Sequence, residues 1–172
     1  MKKMLLTAVV ALMTLSANAQ VWLGGEVGAW RNSKINETTF TIAPSVGYNL
    51  SDTWAIGMGL GYEHFYHRGL ETNAISVSPF ARYKFAKLGP VLLFVDGGFD
   101  FTTIKPKEGK AANQWGIGIK PGLAVGLTEK LSFVSHLGFL GYRDCNDYMD
   151  PDNTGFGFNL GGDLTFGIVY NF

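Results

Sequence analysis

Asp163-Leu164-Thr165-Phe166-Gly167-Ile168-Val169-Tyr170-Asn171-Phe172 closes the chain, and its side chains alternate without a break. Phe172, Tyr170, Ile168, Phe166 and Leu164 share one face, and Asn171, Val169, Gly167, Thr165 and Asp163 share the other. A period of two marks a β-strand whose two faces meet different surroundings. One face here is large and apolar, the other mostly small or polar. Whether the apolar face meets a protein core or lipid depends on what the rest of the chain does.

The rest repeats the pattern. Alternation predicts eight strands, at 21–30, 39–50, 53–64, 73–85, 91–101, 113–127, 131–142 and 155–172. Trp54, Ile56, Met58, Leu60 and Tyr62 alternate with Gly57, Gly59, Gly61 and Glu63. Ile75, Val77, Pro79, Ala81 and Tyr83 alternate with Ser76, Ser78, Arg82 and Lys84. Trp115, Ile117, Ile119, Pro121 and Leu123 alternate with Gly116, Gly118, Lys120 and Gly122. Aromatic residues gather toward the ends of the apolar faces, as they do at membrane interfaces. A soluble can with an apolar interior would carry its charges outside. Here Glu26, Asp96, Lys120 and Asp163 fall on the glycine-rich face. The pattern therefore predicts an all-β fold, an eight-stranded antiparallel up-and-down transmembrane β-barrel. Short connections at Ser51-Asp52, 86–90 and 128–130 alternate with longer polar ones at 31–38, 65–72, 102–112 and 143–154. That asymmetry is the outer-membrane arrangement and predicts both termini on the periplasmic side.

The N-terminus agrees. Lys2 and Lys3, the apolar run from Met4 to Leu15 and the small-residue stretch Ala17-Asn18-Ala19 read as a cleaved signal peptide over 1–19. The mature barrel domain would be 20–172. The 14 Lys and Arg balance 14 Asp and Glu, and loss of the leader tips the balance slightly acidic, so nucleic acid is not an implied partner. Cys145 is the only cysteine, which excludes an internal disulfide. Beyond the leader no apolar run is long enough for a spanning helix, so a membrane passage requires a closed barrel. Pro44, Pro79 and Pro121 lie inside predicted strands and call for bulges or bends, because each lacks a ladder donor.

Pro44-Ser45-Val46-Gly47-Tyr48, Trp54-Ala55-Ile56-Gly57-Met58-Gly59-Leu60-Gly61-Tyr62 and Ser78-Pro79-Phe80-Ala81-Arg82-Tyr83 resemble the outer-membrane β-barrel domain proteins common in Bacteroidetes, which are similar to the OmpA and OmpX eight-stranded barrels. The resemblance spans the mature chain. It implies architecture, a structural or loop-presenting role in a Gram-negative envelope, and no catalytic residue. It also makes Phe166, Ile168, Tyr170 and Phe172 an assembly signal read by the barrel-insertion machinery.

Eight strands leave an interior filled by side chains, so a general diffusion pore is not expected. At about 3.4 Å rise per residue, Glu26, Arg82, Asp96, Lys120, His136 and Asp163 fall at similar heights. Around a closed barrel they would form an ion-pair network in the lumen. An enzyme would need a nucleophile beside a base. Ser135 points away from His136, and Ser132 is four residues distant, so no such pair is visible. Glu63, His64 and His67 cluster at a loop start and raise a metal site as an alternative to a solvated loop. Asp150-Pro151-Asp152-Asn153-Thr154-Gly155 matches the front of a calcium loop, but Gly161 stands where the closing glutamate belongs. Lys105, Lys107 and Lys110 could meet lipopolysaccharide headgroups. The expectation is a monomeric structural barrel with no cofactor, metal or enzymatic activity, in contact with outer-membrane lipid and lipopolysaccharide. A surface adhesion or ligand-binding module is the first alternative, and a lipid-modifying enzyme the second.

Overall fold

The computed structural model describes residues 20–32, 36–67, 69–107, 109–145, 154–159 and 165–172. The predicted leader, Asp163 and most of the calcium-like stretch lie outside the described residues. Among the described residues, ten β-segments run in chain order: β1 (Val21–Asn32), β2 (Glu37–Asn49), β3 (Trp54–His67), β4 (Leu70–Leu88), β5 (Val91–Pro106), β6 (Ala112–Gly126), β7 (Leu131–His136), β8 (Phe139–Cys145), β9 (Gly155–Asn159) and β10 (Thr165–Asn171). Each pairs antiparallel with its neighbour from β1 through to β6. β7 and β8 both pair with β6 and are two halves of one barrel strand. β9 pairs with β8 and β10 with β7, as two parts of the last strand. β10 then pairs with β1 from Trp22↔Asn171 to Glu26↔Gly167, which closes an eight-stranded barrel. Closure removes the sheet edges that an open sheet would expose.

The faces fall as the alternation requires. Ile56, Met58, Leu60, Ile75, Val77, Ile117, Ile119, Phe166 and Ile168 are all exposed on the outside. A contiguous apolar surface of this size belongs in lipid rather than water. Aromatic pairs flank it. Trp54 and Tyr83 lie 4.9 Å apart near the short turns, and Trp115 lies 5.5 Å from Tyr142 toward the loops. Arginine at Val77 or Ile119 is therefore expected to destabilise the inserted barrel by about 2–4 kcal/mol if the site lies near the bilayer midplane. Arginine at Ser76 should act through lumen packing instead. Lipid-soluble quenchers should reach spin labels at 77 and 119 and miss one at 76; the reverse result would turn the barrel inside out.

Three expectations need correction. The connections at 31–38, 65–72 and 102–112 are largely paired strand: Glu37 pairs with His67, His67 with Leu70, and Thr72 with Pro106. Polar residues continue the ladder because backbone bonding does not depend on side-chain hydropathy, so the strands outrun the apolar band. The seventh strand is not continuous over 131–142. Gly122 faces His136 while Ile119 faces Leu140, so four steps on one side match three on the other. This bulge sits opposite Pro121, whose carbonyl accepts the Leu137 amide at 2.8 Å and whose nitrogen offers no donor. Gly138 takes the positive φ of 150° that the bulge demands. Pro44 and Pro79 need no bulge. The ladder drops out beside them, between Ile42 and Ser45 toward β3 and between Val77 and Phe80 toward β5, and resumes in unchanged register.

Candidate functional site

The bulge opposite Pro121 restarts the alternation, so His136 below it and Phe139 above it both face the lumen. His136 is the meeting point of the charged groups. Its Nδ1 lies 2.8 Å from Glu26 Oε1 and its Nε2 lies 2.9 Å from Asp96 Oδ2. Thr165 Oγ1 is 3.4 Å from the same Nδ1. Asp96 is held in turn by Arg82, which sits directly opposite it across the β4–β5 ladder. Arg82 donates from Nε to Oδ1 and from Nη2 to Oδ2, each at 2.7 Å. This is the fork-to-fork geometry that makes Arg–carboxylate pairs strong and directional. Arg82 and Asp96 are only 7% and 5% exposed, so a lone charge at either place would be costly.

Of the predicted lumen residues, the structure brings together Arg82, Asp96, His136 and Glu26 in one connected chain. Lys120 is not in it. Although Asp96 is its cross-strand partner, Lys120 donates instead to Asp100 Oδ1 at 2.9 Å. Both Asp96 oxygens already face Arg82, and Oδ2 also faces His136, so the flexible lysine reaches to the next inward carboxylate on β5. Asp163 lies outside the described residues. His136 reaches across the lumen to Asp96 rather than pairing around the wall in strand order.

Beneath this chain lies a layer of rings. The Arg82 guanidinium carbon stands 3.9 Å from the Phe94 ring centre, 5.2 Å from Trp22 and 5.4 Å from Phe80. Phe94 is fully buried and also meets His136 edge-on at 5.5 Å. Glycines on the adjoining strands make the room. Trp22 pairs with Gly47, Phe80 with both Gly57 and Gly98, and Phe94 with Gly122. A Cβ on Gly122 or Gly57 would stand 2.5 Å from the facing ring. The alternation was not read as placing Trp22 and Phe80 in the lumen. The signal was present: each is a large ring on the glycine-rich face.

Above the charged chain a cavity of about 540 Å³ extends toward the loop end. Arg143 lies over Phe139 there at 4.0 Å. The proposed histidine cluster does not assemble. Glu63 accepts a hydrogen bond from Thr41 at 3.3 Å, His64 meets Asn73 at 2.9 Å, and His67 meets Glu37 at 3.3 Å. Among the described residues no group of His, Cys, Asp and Glu has metal-binding geometry. On the final strand, Phe166, Ile168 and Tyr170 are exposed outward, and the rings of Tyr170 and Phe172 meet edge-on at 5.3 Å.

Residues 4–170 match the family model described as outer membrane protein beta-barrel domain. Neisserial surface protein A is similar in structure at a TM-score of 0.55 and 17% identity, over 88% of this chain and 96% of that one. The N-terminal β-barrel domain of Pseudomonas aeruginosa OprF matches at 0.53 and 18%, over 90% and 98%. A major outer membrane protein from Thermus thermophilus matches at 0.55 and 15%, over 89% and 98%. At these identities the likenesses speak to the fold. No curated protein matches the chain at a significant level.

Proposed function

The chain belongs to the outer-membrane protein β-barrel domain family, and on that footing we propose that it is a non-conducting, non-catalytic structural barrel of the envelope. Its lumen is closed toward the short turns, and its extended hairpins are displayed at the other end. The observation that carries this reading is the Arg82–Asp96 pair stacked on Phe94 and Trp22, a charged and aromatic layer across the bore. Both nitrogens of His136 face carboxylates, which leaves no basic ring atom to activate a nucleophile and speaks against a lipid-modifying enzyme. In planar bilayers the refolded protein should give no steady open-pore conductance. A stable conductance like that of a diffusion porin would overturn the closed-lumen reading.

The termini then lie in the periplasm with the short turns. The partners are lipid and lipopolysaccharide around a monomer, with Lys105 and Lys107 exposed at the loop end to meet anionic headgroups. A surface-binding role draws some support from Phe156 and Phe158, the first of which is 76% exposed on β9. A deletion strain tested for adhesion and for detergent sensitivity separates the two roles. Assembly by the insertion machinery would read the outward face of β10. Deleting Phe172 should lower outer-membrane yield in cells well below its effect on refolded stability, because the ladder from β10 to β1 remains. Unchanged yield from the truncated chain would remove the terminal residue from the signal.

A further inference from the structure

We propose that the cavity above the Arg82–Asp96–His136–Glu26 chain is a binding cup for a small, neutral, polyhydroxylated solute, such as a monosaccharide, a disaccharide or a polyol. Its volume of about 540 Å³ lies within the range of small-molecule sites, roughly 300–1,000 Å³. The charged chain forms its floor.

The lining selects the class of solute. Ser45, Ser76 and Ser78 project from β2 and β4, and Gln114 projects from β6 on the far side. None of these side chains has a hydrogen-bond partner among the described residues. Gly59 on β3 leaves space beside Ser78. A Cβ on Gly59 would meet only Ser78, at an ordinary 3.8 Å. The ionic groups of the lining, by contrast, already have partners. Arg82 is matched with Asp96, His136 with Glu26, and Lys120 with Asp100. Glu63 accepts from Thr41, Arg143 lies over Phe139, and these two are of opposite sign. A charged solute entering this space would shed its water and have to compete with these existing contacts for a counter-charge. A hydroxylated solute would find unpartnered hydroxyl and amide groups, each able to donate and accept. It would also find carboxylate lone pairs held in fixed positions by their cations.

The test is an NMR titration of the refolded barrel in a detergent without a sugar headgroup. The probes are glucose, maltose and sorbitol, with glutamate and putrescine as charged comparators. At least one neutral probe should shift the amides of Ser76, Ser78 and Gln114 saturably, with a Kd on the order of millimolar, as suits a ligand of few atoms. Gly59→Phe fills the cup and should weaken that binding at least about tenfold. Ile75→Ala, on the outer face, should leave it unchanged. Should Gly59→Phe fail to refold, Ser76→Ala with Ser78→Ala should weaken binding at least about threefold. The proposal falls if no neutral probe saturates, if glutamate or putrescine binds more tightly than all three neutral probes, or if affinity survives the filling or hydroxyl-removing substitutions.

Discussion

Arg82→Ala is expected to destabilise the folded barrel by about 3–5 kcal/mol, the usual cost of removing one partner from a buried ion pair. The change deletes both 2.7 Å bonds to Asp96 and leaves a carboxylate that is 5% exposed with His136 as its remaining hydrogen-bond partner. It also removes the cation lying 3.9 Å from the Phe94 ring. Lys107→Ala is the matched comparison. That lysine pairs with Glu71 at 3.2 Å, but its side chain is 65% exposed, so its loss should cost under about 1 kcal/mol. Denaturant unfolding of the two variants in the same lipid or detergent gives the contrast. Equal stabilities would mean that the lumen pair contributes no more than a surface pair and that no coupled network exists there.

Phe94→Ala should cost about 3–5 kcal/mol and, in addition, make the barrel leak ions. Among the described residues, Phe94 is the one large side chain with essentially no exposure. Its ring supports Arg82 on one side and His136 on another, and rests over Gly122. Alanine leaves a void in the layer and loosens Arg82 and His136 above it. Phe99→Ala is the control, since that ring is 40% exposed and lies outside the ring layer around Arg82. Bilayer recordings of the two variants should differ in steady conductance, and a Phe94→Ala barrel as silent as the parent would show that the ring layer is not what closes the bore. Because Phe94 and Arg82 touch, the double variant should lose less stability than the two single losses added together.

The eight-stranded barrel, its inside-out polarity and the inward set of charges were all legible in the sequence. Strand alternation is a local property, set by the pleat, and from Trp54 to Tyr62 or Phe166 to Tyr170 it reads directly off the chain. Trp22 and Phe80 escaped, although the same alternation puts their rings on the glycine-rich face. The broken seventh strand was less legible. Pro121 announces a missing donor, but the extra residue that answers it lies on the partner strand, at Leu137-Gly138, and only pairing reveals it. The reach of the hairpins past the apolar band escaped for a related reason: hydropathy ends where lipid ends, whereas the hydrogen-bonded ladder continues through Glu37, His67 and Leu70.

The sequence by itself therefore determined that Glu26, Arg82, Asp96, Lys120 and His136 face inward, at roughly similar heights. Only the tertiary structure decided which inward charges meet. Strand order placed Lys120 beside Asp96 and His136 beside the last strand. Closure of the barrel brings β1 and β5 within reach of β7 across a narrow bore, so His136 spans Glu26 and Asp96. Arg82 claims both oxygens of Asp96, which sends Lys120 to Asp100. The alternation comes from the backbone and is written residue by residue. The pairing is a competition among long side chains for a few carboxylate oxygens in a closed volume, and it exists only once the barrel has shut.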